Sequence, residues 1–471
     1  MTPWGPFRLG VSHRSPGESA VIEVVNPTTE EVIGTVQAGT AGSVDAAVTR
    51  AAAAFPGWAA TSLDDRLAVA RAVADALEAR AGEFAATMTA EMGTPITFAS
   101  RVQVPNPVGI ARGVADVLAG GYFDGDEIGN SLVLREPIGV VAAITPWNFP
   151  LQQMVAKVVP ALAAGNAVVL KPSELAPLTA DLLASVLADV GVPPGVFSVV
   201  HGTGALVGEA LVSHPMVDMV SFTGSTRAGR RVAALAAETV KRVALELGGK
   251  SANVVLDDAD LTRAVKIGVA NAYMNNGQAC SAWTRLLVPA SLHDAALEVA
   301  VAAAAKYEPG DPALTTTRLG PAVSAAQRDR VVGYVRRGVE EGAKLALGGP
   351  ERPVSRGFHV APTVFGGVRS DMVIAQEEIF GPVLSVMPYA DEDDAVRIAN
   401  STIYGLGGAV FSADPDRALS VARRLRTGQV DINGAAFNTS APFGGYRQSG
   451  NGREFGRHGL DEFTEVKSIQ R

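Results

Sequence analysis

The sequence of 471 residues contains a single cysteine, Cys280. One thiol cannot form a disulfide within the chain and cannot build a thiolate-rich metal site. Neither an H-x-x-x-H spacing nor a carboxylate cluster appears, so we expect no metal centre. We expect the reducing cytoplasm as the compartment, because chains without disulfides are typical of it. Two roles remain for the thiol: a nucleophile, or a small apolar side chain that fills space in a core.

Basic stripes and long apolar runs are also missing. The net charge is −8, and no segment is rich in lysine or arginine, so we expect neither nucleic acid nor a membrane surface as a partner. Polar residues or breakers such as Lys157 and Lys171 interrupt the longest apolar stretches, which argues against a membrane-spanning helix. The first six residues lack the basic start and apolar core of a signal peptide.

What the sequence does contain is a regular alternation of short apolar runs and helical stretches. The length predicts two or three domains. A helix is predicted over 62–82, with a capping box at Ser62 and a stop at Gly82. Strands are predicted at 140–144, 167–170, 196–200, 219–222 and 242–247, with helices at 178–190, 205–212 and 227–239 between them. This order predicts an α/β fold with a doubly wound parallel sheet, whose ligands bind at the carboxyl ends of the strands.

Glycines and charged residues follow several of these strands. Gly224 lies between a predicted strand and a predicted helix, so backbone N–H groups there can face a phosphate. Gly204 and Gly208 also follow a predicted strand. Lys171 can neutralise a phosphate, while Glu174 can accept from ribose hydroxyls and disfavour a 2′-phosphate, which favours NAD over NADP. Ordinary strand–helix turns and a solvated charged turn explain these residues about as well.

Two further residues suit a reaction at a carbonyl group. Glu246 ends a strand before Gly248, where partial burial would raise its pKa and suit it to be a general base; a salt-bridged glutamate is the alternative. Asn148 can donate to an oxyanion, although a turn asparagine is the more common role. Asn275, Asn276 and Gly277 precede Cys280 and suggest a tight turn that directs the sulfur into a cleft.

Taken together, these motifs resemble the aldehyde dehydrogenase superfamily over nearly the whole chain, in the NAD-dependent, hydrolytic form. The resemblance is carried by the segments 25–30, 145–150, 171–174, 222–226, 246–250, 277–280, 377–382, 400–406, 442–445 and 449–454. It implies a Rossmann-like NAD-binding domain, an α/β catalytic domain and a small β oligomerisation arm. The implied boundaries are 1–118 and 138–248, 249–448, and 119–137 with 449–471, in a homodimer or homotetramer.

The resemblance also implies a role for each matching residue. Cys280 would attack the aldehyde, Asn148 would hold the oxyanion, and Glu246 would activate the water that releases the acid. Lys157 and Glu454 match positions assigned to proton relay. The cofactor NAD would be held by Ile144, Thr145, Pro146, Trp147, Lys171, Ser173, Glu174, Gly204, Gly208, Phe222, Thr223, Gly224, Ser225, Leu247, Gly248, Glu378 and Phe380.

The substrate pocket is where the sequence departs from many relatives. Ala156 stands where many of them carry a tryptophan, and where semialdehyde-specific members carry an arginine. This predicts a roomier pocket and argues against a carboxylate-bearing aldehyde. The predicted lining residues are Phe149, Gln152, Gln153, Ala156, Ala279, Ser281, Trp283 and Phe437.

Three other functions compete with this interpretation. A CoA-acylating relative would pass the acyl group to CoA, but such relatives usually lack the carboxylate at Glu246. A non-catalytic family member would have no need of Cys280, Glu246 and Asn148 together. A thiol hydrolase would pair Cys280 with a histidine, and none of the six histidines lies in a motif that suggests one.

Overall fold

The chain builds its first sheet from strands whose residues are apolar on both faces. A computed structural model describes residues 20–471; the predictions for 1–19, including the missing signal peptide and the start of the NAD-binding domain, lie outside the described residues. In spatial order, the strands of this sheet are Gly450–Asn451, Arg242–Glu246, Met219–Thr223, Val140–Ile144, Ala167–Lys171 and Phe197–Val199. Neighbours are parallel except for Gly450–Asn451.

The order of these strands creates a crevice. The chain runs outward from Val140–Ile144 through Ala167–Lys171 to Phe197–Val199, and then continues in Met219–Thr223 on the opposite side. At such a reversal the following segments diverge, which opens a space at the carboxyl ends of the strands. The predicted α/β class with a doubly wound parallel sheet is confirmed.

Helices cover both faces of the first sheet. Val141 and Ala143 contribute to one apolar core, whereas Val140 and Ala142 contribute to another, as the two-residue period of a strand requires. This double burial explains why the strands read as continuous apolar runs. The principal helices of this half are Ala41–Ala59, Leu63–Ala79, Ala81–Met92, Pro105–Ala119, Pro150–Ala164, Leu178–Asp189 and Thr226–Ala237.

Two helix predictions need correction. The helix predicted to stop at Gly82 ends at Ala79, with Arg80 as its C-cap, and Gly82 lies inside the next helix. At the break, Arg80 has non-helical backbone angles, and its guanidinium donates to Glu83 and to Ser185. The helix predicted over 205–212 is a π-helical turn, Gly204–Gly208, followed by a short α-helix, Glu209–Ser213.

A second, mixed sheet occupies the later half of the chain. Its strands, in spatial order, are Lys344–Leu347, Thr363–Gly366, Val383–Tyr389, Arg285–Pro289, Ala252–Val255, Gly408–Phe411 and Asp431–Ile432. All neighbours are parallel except Lys344–Leu347. The longer helices around it are Leu261–Ala272, His293–Ala304, Ala325–Glu340, Glu392–Ala399 and Pro415–Arg424.

Two small antiparallel sheets complete the described strands. One joins Val21–Val25 to Val32–Gln37, and the other has the order Thr464–Gln470, Ser131–Pro137, Asp126–Ile128. The division into domains stays a prediction. The predicted arm segment 449–471 includes the strand Gly450–Asn451. This strand hydrogen-bonds to the strand that ends at Glu246, in the first sheet, and not to the small three-stranded sheet.

Candidate active site

Cys280 follows a turn that only a few residue types can adopt. Asn275, Asn276 and Gly277 all lie in the left-handed region, with φ of 49°, 61° and 73°. For a non-glycine residue this conformation costs of order 1–3 kcal/mol. A side chain at Gly277 would in addition overlap the backbone of Gly381. The turn must therefore be held by its surroundings.

Side-chain amides provide that support. The Asn276 amide donates to the carbonyl oxygens of Gly93 (2.9 Å) and Pro321 (3.0 Å), and its own oxygen accepts from the backbone N–H of Gly320. The Gln278 side-chain oxygen accepts from Val323 N–H at 3.0 Å. These are buried hydrogen bonds to main-chain groups, so the turn before Cys280 is fixed from several directions.

Asn148 is bound to the same turn. Its side-chain Nδ2 donates to the main-chain carbonyl oxygen of Gln278 at 3.0 Å. The main-chain carbonyl oxygen of Asn148 accepts from Asn275 Nδ2 at 2.7 Å. Asn148 is 4% exposed. The side-chain amide of Asn148 carries two N–H donors. Among the described residues only Gln278 accepts from it, so one N–H remains for another acceptor.

A cavity of about 320 Å³ opens onto the Cys280 side chain. Six of the predicted lining residues form part of its wall: Phe149, Gln152, Gln153, Ser281, Trp283 and Phe437. Phe437 packs edge-on against Phe443 and Phe455, with ring centroids 6.2 and 6.0 Å apart. The wall is therefore largely aromatic and amide-bearing.

Two predicted lining residues do not reach this cavity. Ala156 is 1% exposed and lies in the core, one helical turn beyond Gln152. Ala279 packs with Phe149 and Ala282 in a small apolar cluster behind the wall. The prediction that these two residues line the cavity is wrong.

Sequence reasoning also missed part of the wall. The additional side chains include Val102, Asn106, Ile267, Asn271, Met274, Gln429 and Asp431. Gln429 and Asp431 alternate with apolar Val430 and Ile432, which is the signal of a half-buried strand and could have been used. Ile267 and Asn271 lie on a helix whose facing neighbours no local pattern reveals.

Glu246 is a buried carboxylate with no partner. It is 4% exposed, and neither carboxylate oxygen accepts a hydrogen bond from any described residue. Burial, with the charge of Glu454, raises the pKa of Glu246 well above its usual range, while Lys157 opposes this increase. Lys157 and Glu454 form an ion pair beside it, and these three residues line a space of about 10 Å³, the scale of one water.

The surroundings of Cys280 disfavour the thiolate form of its side chain. Burial is the largest cause, and the carboxylates of Glu378, Glu246 and Glu454 add to it, so the pKa of Cys280 is raised. The nucleophilic form of cysteine is the thiolate. In this arrangement the thiol needs a proton acceptor or a nearby positive charge before it can attack.

The predicted nucleotide-binding residues meet at one edge of the first sheet. The register pairs Ile144 with both Lys171 and Phe222, and it pairs Thr223 with Glu246. The hydroxyls of Thr145 and Thr223 are buried there and have no hydrogen-bond partner among residues 20–471. Such groups are rare in folded proteins and call for an explanation.

Other residues at this edge already have local partners. Ser173 Oγ accepts from Leu175 N–H, and Ser225 Oγ caps the next helix by accepting from Ala228 N–H. The N–H of Leu247 donates to the main-chain carbonyl oxygen of Ser449. Gly224 N–H donates to the carbonyl oxygen of Glu246 at 3.0 Å. Gly204 has open space on its side-chain side, whereas Gly208 lies against the Lys171 side chain.

Glu174 lines a second cavity, of about 270 Å³, beside this edge. Lys171 is buried, and its Nζ donates to the carbonyl oxygen of Pro172 (2.6 Å) and to the Glu174 carboxylate (3.4 Å). Burial lowers the pKa of Lys171, and Glu174 partly offsets the decrease. The pair therefore presents one carboxylate and one ammonium group at this edge of the sheet.

Trp147 and Glu378 connect the two halves of the site. The Trp147 ring, which follows Pro146, packs edge-on against Phe380 with centroids 5.3 Å apart. Glu378 accepts from Gly249 N–H at 3.1 Å, and its carboxylate lies so close to Gly248 that a side chain there would overlap it. Burial raises the pKa of Glu378 to about 7.

Metal and membrane features are not found in the described chain. Among residues 20–471 no group of three histidine, cysteine, aspartate or glutamate side chains is arranged to hold a metal ion. Within the same residues, no helix has the length and apolar character to span a bilayer.

Comparisons with known proteins agree with this geometry. The sequence profile of the aldehyde dehydrogenase family matches residues 14–469. The chain is 51% identical over 450 residues to 3-succinoylsemialdehyde-pyridine dehydrogenase of a Pseudomonas species, covering 95% of this chain and 94% of that protein.

Two solved structures are similar throughout. One is a cysteine-to-alanine mutant of aldehyde dehydrogenase C from Pseudomonas syringae with NAD⁺ and octanal (TM-score 0.95, 49% identity, 97% and 94% of the two chains covered). The other is betaine aldehyde dehydrogenase from Staphylococcus aureus with NAD⁺ (TM-score 0.92, 36% identity, 95% and 91% covered). This chain belongs to the aldehyde dehydrogenase family.

Proposed function

We propose that this protein oxidises an aldehyde to the carboxylic acid with NAD, through a thioester on Cys280 that water cleaves. The observation that carries the proposal is the proximity of an amide and an unpaired carboxylate to a thiol that lines the cavity. Cys280 lines the cavity, the Asn148 amide is hydrogen-bonded to the turn that bears Cys280, and Glu246 lies close enough to raise the pKa of the thiol.

Bond formation begins at sulfur. The Cys280 thiolate adds to the aldehyde carbon, and the carbonyl oxygen becomes an oxyanion. The free N–H of the Asn148 amide and the backbone N–H of Cys280 are the donors that would stabilise this charge. Donors that are already fixed before the reaction need no reorganisation as the charge develops, and the hydrogen bond from Asn148 to Gln278 provides that fixation.

The residues at the edge of the first sheet fit NAD. The unpartnered hydroxyls of Thr145 and Thr223 and the open space beside Glu174 are what a bound nucleotide would fill. Lys171 and Glu174 would contact the adenosine ribose, the turn at Gly224 the pyrophosphate, and Glu378 with Phe380 the nicotinamide end. When bound, NAD would supply a hydride acceptor.

Hydrolysis is assigned to Glu246. Its raised pKa makes it a better proton acceptor than an ordinary carboxylate at neutral pH, and it has no protein donor to compete for its oxygens. Glu246 removes a proton from water, the hydroxide adds to the thioester carbon, and the carbon–sulfur bond breaks. The Lys157–Glu454 pair beside it would pass the proton on.

The wall of the cavity suggests the class of aldehyde. Aromatic and amide side chains dominate it, and they suit a medium-length apolar or aromatic tail. This is compatible with the octanal bound by one relative and the pyridine-bearing semialdehyde that names another. No cationic side chain lines the cavity, so a substrate whose tail ends in a carboxylate is disfavoured.

The test of the reaction class is an NADH assay with and without CoA. We expect aldehydes to be oxidised with NAD alone and the product to be the free acid, since Glu246 is present. Absolute dependence on CoA, with an acyl-CoA product, would replace this proposal by the CoA-acylating alternative.

Glu174 is predicted to set the preference for NAD. Replacing it with glutamine or threonine removes a negative charge from the edge where a 2′-phosphate would lie. We expect the ratio of NADP to NAD efficiency to rise about tenfold, which corresponds to about 1.4 kcal/mol. Steady-state kcat/KM for the two cofactors measures it, with Glu298→Gln, an exposed glutamate on the helix His293–Ala304, as the control. An unchanged ratio would exclude Glu174 as the residue that reads the ribose.

The assembly and the compartment also remain proposals. Exposed apolar side chains on the small three-stranded sheet, Ile128, Val466 and Ile469, support pairing between chains, because edge strands are usually covered. A dimer or tetramer follows from this. The cytoplasm is proposed from the lone cysteine.

A further inference from the structure

The substrate cavity contains one charged side chain. Apart from Cys280 and Asp431, the described residues that line it are apolar, amide- or hydroxyl-bearing, and none of these described residues is a lysine, arginine or histidine. A partly buried carboxylate in such a wall has no cationic side chain beside it among the described residues. Its presence therefore needs a reason that the oxidation of a simple aldehyde does not provide.

The local fold directs Asp431 into this space. Asp431 and Ile432 form the last strand of the second sheet, where they pair with Ala409 and Val410. Side chains of consecutive strand residues point to opposite faces. Ile432 packs on the core beneath the sheet, while Asp431 and Gln429, two residues earlier, line the cavity.

The Asp431 carboxylate also lacks a partner in the protein. Within residues 20–471 it accepts no hydrogen bond and forms no ion pair, whereas Asp257, Asp258 and Asp394, on the same half of the molecule, all pair with arginine. Burial raises the pKa of Asp431 to about 6. A partly buried carboxylate that gains nothing from the protein is destabilising unless a ligand supplies the missing partner.

We propose that Asp431 recognises a basic nitrogen in the tail of the aldehyde, a pyridine-type ring nitrogen or an amine, and so determines substrate specificity. This rests on the proposed function and deepens it. The carboxyl group and the nitrogen would share one proton across a charge-assisted hydrogen bond, which is about twice as strong as a neutral one. A hydrocarbon tail offers no such bond and would leave Asp431 unpartnered.

The test compares two aldehydes of the same length, one ending in a pyridine ring and the other in a phenyl ring. Asp431→Asn keeps the shape of the side chain and removes its charge. We expect the kcat/KM of the pyridine aldehyde, relative to the phenyl aldehyde, to fall at least tenfold in Asp431→Asn, mainly through KM. Asp431→Leu should reverse the preference, and Asp75→Asn, a largely exposed aspartate elsewhere, serves as the control and should leave the ratio as it is in the parent enzyme.

A binding measurement separates this inference from the proposed reaction. In a Cys280→Ala background, calorimetry gives the affinity of each aldehyde without turnover, with and without Asp431→Asn. Tighter binding of the pyridine aldehyde that is lost in Asp431→Asn supports the inference even if oxidation by NAD fails. Equal affinities of the two aldehydes, or a preference that survives Asp431→Asn, would overturn it while leaving the proposed oxidation untouched.

Discussion

Replacement of Cys280 by alanine or serine is expected to abolish NAD-dependent aldehyde oxidation, with kcat reduced roughly 10⁴-fold or more. Without sulfur no thiohemiacetal or thioester forms, and a serine hydroxyl is a far weaker nucleophile at neutral pH than a thiolate. NADH formation at saturating aldehyde measures the loss. Activity of the alanine variant within tenfold of the parent enzyme would rule out covalent catalysis at this position.

The fold should survive the change at Cys280, so the loss can be assigned to chemistry. The turn before Cys280 is held by Asn275, Asn276 and Gln278, and none of their hydrogen bonds uses the sulfur. Thermal unfolding of the alanine variant with and without NAD provides the control. An increase in Tm with NAD equal to that of the parent would show that the cofactor site is intact.

Replacement of Glu246 by glutamine is expected to stop the cycle after the first oxidation. Glutamine keeps the size of the side chain but cannot accept a proton from water, and loss of a general base typically costs 10²–10⁴-fold. Stopped-flow mixing with aldehyde and NAD should therefore give a burst of one NADH per active site, followed by very slow turnover. The burst distinguishes a block in hydrolysis from a general loss of activity.

Two other outcomes would contradict the role assigned to Glu246. Unchanged turnover would show that another group activates water. Complete loss without a burst would show that Glu246 acts earlier, as the acceptor of the Cys280 proton. The Glu298→Gln variant, which changes the same functional group on a distant helix, controls for the loss of one carboxylate.

The dependence on pH follows from the same carboxylate. A general base works in its deprotonated form, so activity should be present above the pKa of Glu246 and lost as the pH falls through it. Because burial raises this pKa well above the usual range of a glutamate, the loss should occur at a higher pH than for an exposed carboxylate. The deacylation rate of the parent enzyme, measured as a function of pH, reports this step directly.

The first half of the fold could be predicted well from the sequence. Its strands are buried on both faces, so runs such as Val140–Ile144 stand out against the helices on either side. The end of the helix at Ala79 could not be predicted from local signals, since the residue at the break, Arg80, contacts Ser185, more than a hundred residues away. Gly82 predicts a helix end at its own position, whereas the helix ends three residues earlier, at Ala79.

The active site was only partly predictable for a related reason. Residues in short motifs, such as Cys280, Glu246 and Asn148, could be found because the motifs mark the ends of strands and turns. The substrate cavity is instead assembled from separate segments, with Val102, Met274 and Asp431 on different elements. Ala156 was assigned to the wall because of its position in a motif, but it lies in the core.

The central claim is tested most directly by the mass of the peptide that contains Cys280. The Glu246→Gln variant is mixed with aldehyde and NAD, the reaction is quenched in acid, and this peptide is then analysed by mass spectrometry. Because Cys280 is the only cysteine, any thioester adduct can belong to this residue alone. We expect an acyl group on Cys280, close to one per chain, only when NAD is present. Unmodified Cys280 in a sample that has produced its burst of NADH would contradict the covalent mechanism.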